Sequence, residues 1–120
     1  IYELARMYHH GFGDKWPEFQ KDQAKANKLY LEAATFGNSD AQAYLIQPLL
    51  NKKDFKNALV LSEALMKSGR AEGYFQKARI LFHGWGVPAD KSMAIELMKK
   101  AKEKGYFPAV SELEMMQEGL

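Results

Sequence analysis

The chain has 120 residues, about one domain's worth, and its 47% hydrophobic and 27% charged content is that of an ordinary globular sequence, neither disordered nor fibrous. Seventeen Lys and Arg against fifteen Asp and Glu leave a net charge of +2, too balanced for electrostatically driven nucleic-acid binding. The absence of cysteine excludes disulfide frameworks, thiolate metal sites and cysteine nucleophiles, and apolar runs such as Ala58-Leu59-Val60-Leu61 fall far short of the ~20 residues of a membrane span.

Helical periodicity runs through the whole chain. A first helix is expected over roughly Ile1–Gly11, followed by a long loop, Asp14 to Lys21, that holds Trp16, Pro17 and Phe19. Asp22 is the expected N-cap of a second helix, whose buried stripe is Ala26, Leu29, Tyr30, Ala33 and Ala34 and whose stop is Gly37. The third covers roughly Asp40–Asn51, with Pro48 expected to bend or shorten it. A tight Asn51-Lys52-Lys53-Asp54 turn leads into a fourth helix, capped by Asp54, with Ala58, Leu61 and Leu65 on its stripe and Gly69 as its stop. The fifth runs over Ala71–Gly84, the sixth between Asp90 and Gly105 with Ala94, Leu97, Met98 and Ala101 buried, and the seventh over Phe107–Glu118. No strand-like alternation of any length occurs, so the expected class is all-α.

The chain also repeats itself. Ala5 to Gly13 reappears as Ala78 to Gly86 with five of nine positions identical. After five extra residues in the first copy, Ala26, Leu29, Ala33, Gly37, Ala41 and Leu45 meet Ala94, Leu97, Ala101, Gly105, Ala109 and Leu113. A worn middle copy keeps Ala58, Leu61, Leu65, Gly69 and Gly73. From Gly37 to Gly69 is 32 residues and from Gly69 to Gly105 is 36, a period of helix-pair solenoids. The expected organisation is one repeat domain over residues 1–120, with units 1–37, 38–69, 70–105 and a partial unit 106–120. Because Ile1 begins mid-repeat, the chain reads as a segment of a longer protein. Ala5, Ala26, Ala78 and Ala94 are the expected close helix crossings, where a larger side chain would push the pair apart.

These residues resemble the pattern of the Sel-one-like repeat family, relatives of tetratricopeptide repeats. The last full copy supplies Ala78, Leu81, Gly84, Gly86, Val87, Asp90, Ala94, Leu97, Ala101, Gly105, Ala109 and Leu113. The first supplies Ala5, Tyr8, Gly11, Gly13, Asp22, Ala26, Leu29, Ala33, Ala34, Gly37, Ala41 and Leu45. The middle copy departs by lacking the Gly-x-Gly loop, and the first by its longer loop. The resemblance implies a right-handed superhelical solenoid of antiparallel helix pairs that holds proteins together without chemistry of its own. Members of the family serve in signalling, membrane-protein quality control, polysaccharide export and secretion-system immunity. A bacterial immunity or regulatory protein is the expected role, in a cytoplasm or periplasm, which a cysteine-free chain suits equally.

Nothing in the residues argues for catalysis, a metal or a cofactor. His10 and His83 occupy the same place in two separate repeats, and adjacent His9 and His10 point in different directions on a helix, so a site of three or four ligands is not expected. The bland expectation for His10 and His83 is a helix-end cap or a bond to the neighbouring turn. Gly11-Phe12-Gly13 and Gly84-Trp85-Gly86 follow helices and lack the Lys-Ser/Thr of a phosphate loop, so their expected role is a turn that tucks an aromatic between helices. Glu112 and Glu114 lie on different helix faces. Lysines at 52, 53 and 56 and at 99, 100, 102 and 104 read as solvated outer faces and favourable charges near helix C-termini, the alternative being contact with an acidic partner or an anionic membrane surface.

By the resemblance, the first helix of each pair lines an inner groove. The inward positions are Arg6, His9 and His10, then Gln47, Leu50 and Asn51, then Arg79, Phe82 and His83. Tyr2, Ala43 and Phe75 lie one turn earlier. Such a groove would grip a protein partner, with Tyr2, Phe75 and Phe82 as apolar anchors and Arg6 and Arg79 either on its acidic groups or paired with acidic residues of adjacent helices. The competing expectation is a structural segment of a larger chain. Phe107, Val110, Leu113, Met115 and Met116 would then lack a covering helix, and self-association through that helix is a further expectation.

Overall fold

The computed structural model describes residues 2–10 and 23–118, without the side chains of Met7, Tyr8, His10 and Gln23. The Gly11-Phe12-Gly13 loop, the Trp16–Phe19 segment and the Asp22 cap lie outside the described residues. Within them every regular element is helical: α1 Tyr2–His10, α2 Gln23–Thr35, α3 Ser39–Asn51, α4 Phe55–Lys67, α5 Ala71–His83, α6 Lys91–Glu103 and α7 Pro108–Glu118.

Local chemistry sets these boundaries. The Asp90 carboxylate accepts the Met93 N–H at 3.0 Å, and the Asp54 carboxylate accepts that of Asn57 at 3.4 Å, so each starts a helix by satisfying an orphan donor. Glycine ends α2, α4 and α6 in the left-handed region, which costs an L side chain energy (Gly37 φ 87°, Gly69 φ 76°, Gly105 φ 86°). Pro48 does not shorten α3, which has 13 residues like α4 and α5. The proline forfeits only its own N–H, while its carbonyl still accepts from Lys52 at 3.1 Å.

The chain forms two compact units, Ile1–Leu45 and Ile46–Leu120. In the first, α1 packs on α2, with Ala5 and Ala26 fully buried where the expected crossing lies. Asn38 caps the start of α3, accepting the Ala41 N–H at 2.9 Å, and the Gln42 amide reaches back to the Ala34 carbonyl at 3.2 Å.

In the second unit α4 packs on α5, α5 on α6 and α6 on α7. The short links between them make neighbours antiparallel. Ala78 and Ala94 are fully buried, in a core that Phe75, Met98, Leu113 and Met116 fill. Among the described glycines the tightest contact is at Gly73. A Cβ there would stand 2.6 Å from the Ser62 carbonyl oxygen and 2.6 Å from the Met66 backbone nitrogen. Ser62, buried beside it, donates to the Ala58 carbonyl at 2.8 Å, so this polar group is satisfied within its own helix. α7 corrects one expectation: Leu113 and Met116 are buried against the core of the unit, and only Phe107, Val110 and Met115 of the named set remain exposed.

At the start of α5 the Arg70 guanidinium lies 2.7 Å from the Glu72 carboxylate. The hydrogen bond from Arg70 holds the Glu72 carboxyl below its usual value, against the opposing effect of burial.

Two outcomes are expected. Gly73→Ala should cost ~1–3 kcal/mol or more in urea denaturation, because backbone rather than a pliable side chain meets the added methyl. Because folding lowers the Glu72 pKa, its contribution is complete above the ordinary carboxylate value and is lost as pH falls through the folded one. Glu72→Gln should flatten the fall in melting temperature below about pH 4.5, measured against wild type.

Candidate functional site

The second unit holds a cleft of about 290 Å³ lined by Gln47, Leu50, Asn51, Lys53, Phe55, Arg79 and Trp85. Helical spacing supplies one wall, since Leu50 and Asn51 lie three and four residues after Gln47 along α3. Lys53 comes from the turn after α3, Phe55 from the first position of α4 and Arg79 from the middle of α5.

Trp85 is placed by the chain reversal that ends α5. Gly84 adopts φ 68°, ψ 38°, and the Trp85 N–H bonds the Ile80 carbonyl at 3.0 Å. Gly86 then passes so close to α4 that a Cβ would stand 2.8 Å from the Phe55 Cβ. The Trp85 ring thereby stacks on Phe55 (6.0 Å, 14°) and on His83 (4.7 Å, 20°). The Arg79 guanidinium carbon lies 5.6 Å from the Trp85 ring centre and 5.6 Å from that of Phe75, and the group donates to the Gln76 side-chain oxygen at 3.3 Å. On the α3 wall the Gln47 amide donates to the Asn51 oxygen at 3.0 Å. The cleft therefore offers two cations, two amides and an aromatic floor, with no carboxylate in its lining. Such a surface can hold a carboxylate and hydrogen-bond a peptide backbone.

Four of the residues expected at an inner groove, Gln47, Leu50, Asn51 and Arg79, thus share one cleft, and His83 stacks on its tryptophan. His83 serves there as a ring surface, while Gly84 supplies the helix cap. Phe75 corrects the expectation of an exposed anchor. It is 7% exposed, tilted against Tyr106 at 5.0 Å, and a side chain so covered has no surface left for a partner. Phe82 likewise packs against the core, with the Lys91 ammonium 5.3 Å from its ring centre, and does not line the cleft.

The remaining expected residues belong to the first unit. Tyr2 tilts against Tyr30 at 5.7 Å and lines a shallow pocket with Ala33, Phe36, Gly37 and Asn38. Arg6 is exposed, 3.8 Å from Glu3 one turn earlier. His9 stands edge-on to Tyr44 at 5.3 Å and to Tyr30 at 6.1 Å. Tyr30 stacks on Tyr44 at 3.9 Å, and the Tyr44 hydroxyl donates to the Asn27 oxygen at 3.3 Å. Burial first, then the neighbouring phenols of Tyr2 and Tyr44, pushes the Tyr30 hydroxyl above its ordinary value. The side chain of His10 lies outside the described residues.

Sequence reasoning did not place Lys53, Phe55 or Trp85 in the site. Trp85 read as a packing aromatic and Lys53 as a solvated charge. The missed signal was that lysine stands at a helix end where other helices of the chain have glycine.

Among the described residues no group of three His, Asp or Glu side chains is arranged to hold a metal ion, and no helix is long and apolar enough to cross a membrane. No curated protein matches the chain. A protective antigen present in uropathogenic Escherichia coli strains, whose crystal structure displays an SLR fold, is similar with a TM-score of 0.77 and 27% identity over 93% of this chain. The chain spans 24% of that protein's length. The family model for the Sel1 repeat matches residues 1–38 and 71–106, leaving out the worn middle copy. With more than half of its length matched, the chain belongs to the Sel1 repeat family, as an all-α helical repeat protein.

Proposed function

We propose that this chain is a non-catalytic interaction module, a scaffold or adaptor that holds a partner protein at the cleft of Gln47, Asn51 and Arg79. One observation carries the reading: side chains from α3, α4, α5 and the loop after α5 converge on one concave surface that combines amides, cations and stacked rings. Aromatic and arginine side chains are the types enriched where protein interfaces concentrate their energy. The Sel1 repeat supports an interaction module and the similar antigen a bacterial setting, within which the role we read is regulatory or one of immunity. Exposed Arg6 would be a second contact for acidic groups.

A second reading, a structural segment that packs on neighbouring repeats, is favoured by the exposed Phe107 (85%) just before α7 and Met115 on it.

A photo-crosslinking residue separates the two. Placed at Asn51 in the purified chain and exposed to extract of the source cells, it should give a discrete protein adduct, and the same residue at Val60 on α4 should not. Arg79→Glu should weaken that capture at least tenfold, as expected for a lost charge-assisted contact of ~1.5–3 kcal/mol. Adducts formed only from positions 107 and 115 would favour the structural segment. In the free protein, Arg79→Glu should cost ~1 kcal/mol in thermal unfolding, because the guanidinium leaves two rings, while exposed Arg6→Glu should stay within ~0.5 kcal/mol.

A further inference from the structure

Four turns of this chain share one backbone pattern, and one of them carries the wrong residue for it. After α2, Gly37 and Asn38 donate to Ala34 and Ala33 at 3.0 and 3.1 Å; after α4, Gly69 and Arg70 donate to Met66 and Leu65 at 3.0 and 2.9 Å. After α6, Gly105 and Tyr106 donate to Lys102 and Ala101 at 2.9 and 3.0 Å. After α3 the same two bonds form from Lys53 to Leu50 at 3.0 Å and from Asp54 to Leu49 at 2.8 Å. The first donor of each pair must be left-handed, and Lys53, at φ 63°, is the one non-glycine residue with positive φ among the described residues. The turn itself gains nothing from a side chain there, and an L residue is strained where glycine is not.

Strain of this kind persists where the side chain has a use, and Lys53 lines the cleft opposite no carboxylate. Among the described residues neither Lys53 nor Arg79 forms a salt bridge, so both cations face the cleft uncompensated. We infer that Lys53 and Arg79 together form a two-cation seat for an acidic side chain on an extended segment of the partner protein. The Gln47 and Asn51 amides bond that segment's backbone, and Phe55 and Trp85 carry its apolar neighbour. Charge complementarity selects the occupant, because a cleft with two cations and no anion repels a basic segment and leaves a neutral one without a partner for either charge. The inference rests on the cleft being the protein-binding surface, and adds which residue was retained for it and what chemistry it selects.

The test selects a displayed library of random 12-residue peptides on the 120-residue chain. Synthesised winners are then measured against wild type, Lys53→Gly, Lys53→Arg and Asn51→Trp, with helix content checked by circular dichroism. The winners should be rich in Asp and Glu, and their affinity should fall with added salt. Lys53→Gly should raise the melting temperature by about 2–5 °C through relief of the turn, yet weaken the winners about threefold to tenfold. Lys53→Arg should bind like wild type. Stabilisation together with weakened binding is the signature, since a residue present only for the turn would not trade one for the other. Winners without acidic residues, full affinity in Lys53→Gly, or a melting temperature that does not rise would each overturn the inference. If the winners nonetheless fail on Asn51→Trp, the cleft remains a protein-binding surface and only the acidic seat is lost. Winners indifferent to Asn51→Trp, or no winners at all, would remove both.

Discussion

The second unit depends on how closely two helix backbones can approach. At Gly73 the backbone of α5 lies against the Ser62 carbonyl and the Met66 amide of α4, with no room for even a methyl group. Where the two helices meet, Ala58 of α4 and Ala78 of α5 are fully buried, and buried Ser62 satisfies its hydroxyl within its own helix. In a protein interior packed to crystal-like density, such contacts are stiff. The position of α5 is therefore set by its smallest residues, and everything it displays is set with it.

From this follows the cleft. Arg79 sits next to Ala78, so the crossing that buries the alanine also directs the arginine away from it. The end of α5 then has one further task, turning Trp85 back onto Phe55, which Gly84 and Gly86 accomplish through their left-handed backbone and the latter's close pass over the Phe55 side chain. A tryptophan that stacks on both a phenylalanine and a histidine is restrained. The guanidinium above it is thereby held in position without an ion pair. A preorganised cation of this sort loses little conformational freedom when it meets a carboxylate.

Arg6 and Arg79 occupy equivalent positions in the two matched copies, yet their surroundings differ. Arg79 rests on two rings, whereas Arg6 lies exposed beside Glu3. Aromatic neighbours diverge in the same way. Tyr2 stays partly open against Tyr30, while its counterpart Phe75 is driven into the core by Tyr106. Repetition in sequence conserves the crossing residues, and the surfaces built around them are free to specialise.

Helix number, boundaries and small-residue crossings were legible in the sequence because each depends on neighbours three or four residues away. Asp54 and Asp90 cap, Gly37, Gly69 and Gly105 stop, and Ala5, Ala26, Ala78 and Ala94 mark the buried seams. Family membership was legible for the same reason, since the repeat is a pattern of such local signals. The residues of the cleft were only half legible. Gln47, Asn51 and Arg79 followed from helical register, but Phe55 and Trp85 meet across 30 positions of sequence. The burial of Phe75 depends on Tyr106, 31 positions away, a contact that no periodicity within α5 encodes. Lys53 needed both levels. Its place after a helix was visible in the chain, but only the folded backbone shows that a lysine holds the glycine conformation and that its side chain lines a cleft of like charge. Local hydrogen bonding and steric propensity act over one helical turn and can be read along the chain. Which side chains face one another across helices is decided by packing, which exists only in the folded state.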